Sequence, residues 1–318
     1  MPGITGMATT YNCPNYVGEL FQLSPESTPF LSAIGGLTGG VKAESTVFGW
    51  QSDDLRDASD TRQRLEGADA PEADTRVRDA AYNVCEIHQE TIAISYTKLS
   101  AIGQVKPLTP NVTPLGEQPV KDEMTKQIES TIKAVARDVE KGFIVGKYQL
   151  PTDNTQPRKT RGILEAITTN SVDASSAALT EDLVLDLMQK VWDAGGIQED
   201  ETRTLIVGAK QKRALTKIFI DGKRYQETSR NLGGVNLQTI ETDFGKCNIM
   251  LNRYMPPEQL AVVSLDHCAP AFLEVPGSGH FFVEPLGKKG ASSQSQLYGE
   301  IGLMYGAERA HGKLINLG

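Results

Sequence analysis

The sequence predicts a mixed α+β fold with extended appendages, and three observations carry that prediction. One long stretch, from about residue 120 to 146, repeats apolar residues at helical spacing. Short runs rich in β-branched residues are scattered on both sides of it. Between two such runs lies a strongly polar segment, 51–80, with too few apolar residues for a core of its own. The chain has 318 residues, 39% of them hydrophobic and 23% charged, which is ordinary globular usage with room for two domain-sized units. Wholesale disorder and collagen-like or coiled-coil repetition are excluded.

The first 44 residues contain Pro2, Pro14, Pro25, Pro29 and the pairs Gly35-Gly36 and Gly39-Gly40, which interrupt any long helix or central strand. They read as an extended arm. Its apolar anchors, Tyr16 to Leu23 and Phe30 to Ile34, are expected to rest on a neighbouring surface.

From Gln51 to Ala80 the acids Asp53, Asp54, Asp57, Asp60, Glu66, Asp69, Glu72, Asp74 and Asp79 alternate with Arg56, Arg62, Arg64, Arg76 and Arg78. Strand-like patterns flank the segment: Thr46 to Trp50 before it, and Val84, Ile87, Thr91, Ala93 and Ser95 after it. This predicts a long two-stranded excursion with a charged tip. An isolated ribbon is marginal in water, so its order would need a partner surface. A mobile surface loop suits the same residues equally well.

Pro107, Pro110, Pro114 and Pro119 punctuate a turn before the long helix. In that helix Met124, Ile128, Ile132, Val135, Val139 and Phe143 form one apolar stripe, read as core packing. The wet face is assigned Lys121, Asp122, Glu123, Lys126, Glu129, Lys133, Arg137, Asp138, Glu140 and Lys141, with Gly142 and Gly146 limiting the C-terminal end. A second compact region follows. Thr180 caps a helix with Glu181 and Asp182 in its first turn, and Gly195-Gly196 stops it. A buried-type strand, Thr204 to Val207, a basic helix from Ala209 to about Phe219, and strands near Val235–Ile240, Asn248–Leu251 and Leu260–Leu265 complete a mixed α/β domain. The last strand, Gln294 to Tyr305, is expected to return to a sheet under the long helix and make the first domain discontinuous.

Templates for chemistry come back empty. Gly146-Lys147, Gly222-Lys223, Gly245-Lys246, Gly287-Lys288 and Gly312-Lys313 are never followed by Ser or Thr, so none is a P-loop. His88, His267, His280 and His311 are too scattered for metal-ligand spacing. Asp266-His267-Cys268 reads as a strand-end turn, because adjacent strand residues point to opposite faces. Pro276-Gly277-Ser278-Gly279 lacks the first glycine of a nucleophile elbow and also reads as a turn. No catalytic residue, cofactor or metal is expected.

The net charge of −8 repels polyanions, and aromatics, at 6%, do not interleave with cations, so direct nucleic-acid readout is disfavoured. No apolar run approaches the ~18 residues of a membrane span, and Met1 to Tyr11 lacks a basic and an apolar export region. The glycosylation sequon Asn111-Val112-Thr113 therefore carries no consequence. Cys13, Cys85, Cys247 and Cys268 form no CxxC pair, and reduced thiols are expected.

The order of parts, with Thr28-Pro29-Phe30-Leu31, Trp50-Gln51-Ser52-Asp53-Asp54-Leu55, Asn83-Val84-Cys85, Arg161-Gly162-Ile163-Leu164 and Trp192-Asp193-Ala194-Gly195-Gly196, resembles the major capsid proteins of tailed bacteriophages, the Hong Kong 97 fold. The resemblance spans about Thr28 to the C-terminus. It implies an N-terminal arm, 1–44, an extended loop, 45–98, a peripheral domain with its spine helix, 99–160 and 285–318, and an axial domain, 161–284. It implies self-assembly into hexamers and pentamers of an icosahedral shell. That shell encloses double-stranded DNA without sequence-specific binding. Scaffolding, portal and cementing proteins become candidate partners, no membrane is involved, and assembly is expected in the bacterial cytoplasm.

Arg56, Arg62, Arg64, Arg76 and Arg78, with Asp53, Asp54 and Glu66, become the expected inter-subunit contacts, since arginine grips a carboxylate with two parallel donors. A solvated charged face fits the same residues. No lysine lies between Lys42 and Lys98, so the loop-lysine cross-link of some members should be absent. No long charged helical segment precedes the arm, which makes a separate scaffolding protein the expectation. Three alternatives stay open: an encapsulin-type compartment, a tail-tube or connector subunit, and an α/β enzyme.

Overall fold

The computed structural model describes residues 27–53, 58–70, 72, 78–100, 123–196, 203–221, 239–287 and 290–318. The chain divides into two units, one of residues 1–27, 89–134 and 283–298, the other of 28–88, 135–282 and 299–318. In chain order the elements are α1 (Pro29–Ile34), β1 (Val41–Ala43), β2 (Val47–Ser52), β3 (Asp79–Val84), β4 (Glu86–Ser95), α2 (Tyr96–Ser100), α3 (Glu123–Val145), α4 (Ile163–Ala166), β5 (Ser171–Asp173), α5 (Glu181–Asp193), β6 (Arg203–Val207), α6 (Ala209–Thr216), β7 (Thr239–Thr242), β8 (Gly245–Leu251), β9 (Leu260–Val263), β10 (Ala269–Leu273), β11 (Phe281–Pro285), β12 (Ser292–Met304) and β13 (Gly312–Ile315).

The larger unit holds a six-stranded sheet ordered β5-β13-β9-β6-β8-β7. Every residue of β6 and β9 is buried, as expected of central strands: β9 is wholly apolar, and β6 encloses Arg203 and Thr204 beside the apolar run Leu205–Val207. Helix α5 presses Val184, Leu187, Met188 and Val191 into a core with Leu205, Val207, Leu260, Val262 and Leu314. Its ends follow the sequence signals. Thr180 Oγ1 accepts from Leu183 N at 3.3 Å, and Gly195 turns the chain at φ 78. Gly196 then lies against the backbone of Arg309, where a Cβ would come within 2.6 Å of the carbonyl oxygen.

A second sheet is ordered β1-β10-β12-β11, with β4 also paired to β12. Strand β1 runs parallel to β10, and β10 antiparallel to β12. In the smaller unit Gln89 Nε2 donates to Gln296 Oε1 at 3.1 Å, and Tyr96 N to Ala291 O at 3.0 Å. The last strand, expected over Gln294–Tyr305, forms as β12 with its first residue at Ser292.

The structure departs from the sequence reading at several places. The anchor Phe30–Ile34 is a helix buried on its own chain, with Phe30 0% and Leu31 2% exposed, and no neighbour is needed to cover it. The earlier anchor, Tyr16 to Leu23, lies outside the described residues. Glu140, assigned to the wet face of α3, is fully buried, because it caps α1. The run Ile87–Ser95 does not close the excursion; β2 pairs with β3, from Val47↔Val84 to Ser52↔Asp79, and β4 pairs with β12. The basic helix ends at Thr216 and continues as a π-turn, Lys217–Asp221. Of the strand placed at Val235–Ile240, Thr239 and Ile240 lie in β7, and residues 222–238 lie outside the described set. Strands β1, β5, β10, β11 and β13 went unread, each being short and without alternation.

Along α3 the apolar stripe is covered unevenly. Val135, Val139 and Phe143 are buried, Met124 and Ile128 half-buried, and Ile132 is exposed.

Candidate assembly interface

The β2–β3 hairpin is the element through which a charged segment is presented, and its root is firmly held. Asn83, 0% exposed, makes four hydrogen bonds. Its Nδ2 donates to Leu303 O at 2.7 Å and Arg161 O at 3.1 Å, while its Oδ1 accepts from Arg161 N at 2.8 Å and Val84 N at 2.9 Å. Both amide atoms are saturated, so one side chain locks β3 to β12 and to the strip before α4. Trp50 packs edge-on against Tyr305 at 4.7 Å and donates from Nε1 to Gly306 O at 2.7 Å. Phe48 fits over Gly302, where a Cβ would lie 2.6 Å from its ring.

On the opposite face of the ribbon, Tyr82 stands directly across from Gly49 and is 51% exposed. Its ring meets Tyr148 edge-on at 6.0 Å. The Arg161 guanidinium lies 4.6 Å from the centre of the Tyr148 ring and donates from Nη1 to Tyr305 Oη at 3.1 Å. Charge and ring quadrupole attract each other here.

Beyond the root the segment is exposed throughout its described part. Asp53 and Arg78 flank its neck, Arg78 Nε lying 3.9 Å from Asp53 Oδ2, with a long contact from Arg78 to Gln51 Oε1 at 3.5 Å. Arg62, Arg64 and Glu66 lie further out, all exposed. Arg56, Asp54 and Arg76 lie outside the described residues. Of the expected contact residues, Asp53 and Arg78 meet within one chain. A tight turn closes at Leu65–Ala68, where Ala68 N donates to Leu65 O at 3.1 Å and Gly67 takes φ 79. Leu65 is 86% exposed.

The structure bears on the local phrases from which the resemblance was read. Thr28-Pro29-Phe30-Leu31 is the helix start capped by Glu140, with Phe30 N 2.9 Å from Oε1 and Leu31 N 2.6 Å from Oε2. Asn83-Val84-Cys85 and Arg161-Gly162-Ile163-Leu164 meet at the hairpin root. Trp192-Asp193-Ala194-Gly195-Gly196 is the C-terminal stop of α5. The importance of Asn83, Arg161 and Glu140 as ties was missed. Only the place of the first two in the short phrases that carry the resemblance hinted at it, and Glu140 gave no signal at all.

No group of three or more His, Cys, Asp or Glu among the described residues could hold a metal ion. Asp266-His267-Cys268 is a 3₁₀ turn followed by a cysteine whose Sγ donates to Ser264 O, and Val275–Gly279 closes as a tight turn with Gly277 at φ 85. Cys85, Cys247 and Cys268 are free and buried, and burial pushes each thiol up to about 12. Cys13 lies outside the described residues. No helix among the described residues is long and apolar enough to cross a membrane.

Comparison with known proteins agrees with this arrangement. The fold is similar to the cyanophage A-1(L) capsid, with TM-score 0.68 and 10% identity over 99% of each chain. It is similar to the capsid of the native GTA particle, with TM-score 0.64 and 15% identity over 98% of each chain. The encapsulin of the holo-SrpI complex from Synechococcus elongatus PCC 7942 gives TM-score 0.55 and 13% identity, covering 96% of this chain and 92% of that one. At such identities these likenesses establish the Hong Kong 97 fold and nothing finer. The major capsid protein of Escherichia phage Phieco32 is 26% identical over 125 residues, 39% of this chain and 30% of that protein, so the match takes in under a third of the relative. The family model described as SU10 major capsid protein matches residues 3–318, and the chain therefore belongs to the SU10 major capsid protein family.

Proposed function

We propose that copies of this major capsid protein form hexamers and pentamers that close into an icosahedral shell around packaged double-stranded DNA. The observation that carries the reading is the β2–β3 hairpin. Its root is locked by Asn83 and Trp50, while the described residues of the segment beyond it are all exposed. A ring of heterologous contacts needs such a projecting patch on each copy. Many weak contacts then suffice, because a docked neighbour holds the next at high effective concentration.

In this reading the arm is 1–44, the extended loop 45–98, the peripheral domain 99–160 with 285–318, and the axial domain 161–284. Arg56, Arg62, Arg64, Arg76 and Arg78, with Asp53, Asp54 and Glu66, meet neighbouring subunits. The net charge of −8 suits a wall that contains DNA without binding it. The absence of lysine between Lys42 and Lys98 supports a shell without a loop-lysine cross-link, held by interlocked segments or a cementing protein. Scaffolding and portal proteins complete the partners, with assembly in the host cytoplasm.

Electron microscopy of the purified protein tests this. Hollow spherical shells are the expected result, and a monodisperse small oligomer overturns it. The likeness to an encapsulin supports a second reading, a protein compartment. Protein cargo in place of DNA inside shells purified from an infected cell would select it.

A further inference from the structure

We propose that the exposed turn Leu65-Glu66 of one copy docks on the Tyr82–Tyr148–Arg161 face at the hairpin root of the next copy. The inference rests on the reading that copies assemble, and it names the receiving surface. Two incomplete halves motivate it. The turn offers an apolar side chain, Leu65, 86% exposed, followed by a carboxylate, Glu66, on an exposed residue. It does not rest on its own root, since exposure of that degree leaves Leu65 in water.

The root offers the complement. Tyr82 is 51% exposed and stands across the ribbon from Gly49, which puts no side chain over the ring. Arg161 is half-buried against Tyr148 and pairs with no carboxylate among the described residues; its Nη1 contact is the neutral hydroxyl of Tyr305. A half-desolvated guanidinium gains most from a carboxylate that arrives with its own apolar cover, because exclusion of water strengthens the pair. An exposed tyrosine beside an arginine is also the composition of binding hot spots. The two patches differ, so the contact is head-to-tail and propagates from copy to copy.

The test uses the whole chain. Leu65→Cys and Tyr82→Cys lie on exposed side chains, so the double variant should keep its Tm within about 2 °C. In assembled material, mild oxidation should give a non-reducing ladder above the monomer. Each single variant, and the control pair Leu65→Cys with Trp192→Cys, should stay monomeric. Assembly lost in the reduced double variant and restored by oxidation supports the docking equally. Shells that form without the ladder, that link equally through position 192, or that are lost and not restored overturn the docking and leave the capsid reading standing. A folded wild-type chain that forms no shell overturns both. As a charge probe, Glu66→Lys should raise the threshold concentration for assembly about tenfold at moderate salt, and an unchanged threshold overturns the pairing with Arg161.

Discussion

Glu140 caps a helix whose second residue, Phe30, lies 110 residues before it: its two carboxylate oxygens accept from the backbone amides of Phe30 and Leu31, at 2.9 and 2.6 Å. The N-cap residue of that helix, Thr28, makes no side-chain cap of its own. A third donor, Asn252 Nδ2, completes the carboxylate, and Asn252 Oδ1 in turn accepts from Tyr254 N at 2.8 Å. One buried side chain of α3 thus holds α1 and the loop after β8 together.

Truncating it should be costly. Glu140→Ala leaves three buried donors unsatisfied and is expected to destabilise the subunit by about 3–5 kcal/mol, with Glu140→Gln losing less because one acceptor remains. Urea denaturation of unassembled protein measures this, and faster proteolysis near residues 28–34 should accompany it. Burial raises the Glu140 carboxyl above its ordinary range, against the lowering by its three hydrogen bonds. A raised carboxylate favours the folded state at low pH and loses that advantage as pH rises through its folded value. Glu140 therefore opposes acid unfolding.

His311 acts in the other direction. It is 0% exposed, accepts from Ser264 N on Nδ1 at 3.2 Å, and donates from Nε2 to Tyr305 O at 2.7 Å. Burial lowers it from 6.5 to about 4, partly offset by the bond to Tyr305. The unfolded chain takes up the proton first, so stability present above pH 6.5 is lost as pH falls toward 4, by ~3 kcal/mol at 1.36 kcal/mol per unit. Urea midpoints at pH 7 and 4.5 should differ accordingly, and His311→Gln should flatten that dependence.

At the hairpin root, Asn83→Ala removes two donors and two acceptor contacts at once. A loss of about 3–4 kcal/mol is expected, since four backbone groups, Leu303 O, Arg161 O, Arg161 N and Val84 N, lose their partner. Asn83→Asp should be worse, because a carboxylate would face the carbonyls of Arg161 and Leu303. Denaturant midpoints of the purified variants check both.

Trp50→Ala should loosen the hairpin without unfolding the body. The indole is half-buried, so the cost is placed at about 2–3 kcal/mol. Hydrogen exchange should rise several-fold across Val47–Ser52 and Asp79–Val84 while β6 and β9 stay protected.

Thiol chemistry provides a fifth check. Cys85, Cys247 and Cys268 are buried with thiols pushed up to about 12, so an aromatic disulfide reagent should leave all three unmodified until denaturant is added.

Elements with strong local signals were legible. Helix α3 carries six apolar residues at three- and four-residue spacing, and α5 has a capping threonine, acidic first turn and glycine stop. Both formed almost where their patterns place them, because helical periodicity and caps are local properties. The polar excursion was also legible as a region that cannot bury itself. Its pairing was not. Val84 ends one strand and Glu86 begins another, and only the hydrogen bonds available on β12 decide that β4 leaves the ribbon. Short strands such as β1 and β13 carry three or four residues, too few for a period to show.

By itself, then, the order of residues determined helices α3 and α5, the buried central strands and a charged segment without a core, since each follows from spacing and composition within a few turns of chain. Only tertiary structure decided that Glu140 is buried and that Asn83 is a hub. Whether a polar side chain is wet or enclosed depends on which distant backbone amides and carbonyls arrive beside it, and no local pattern encodes that meeting.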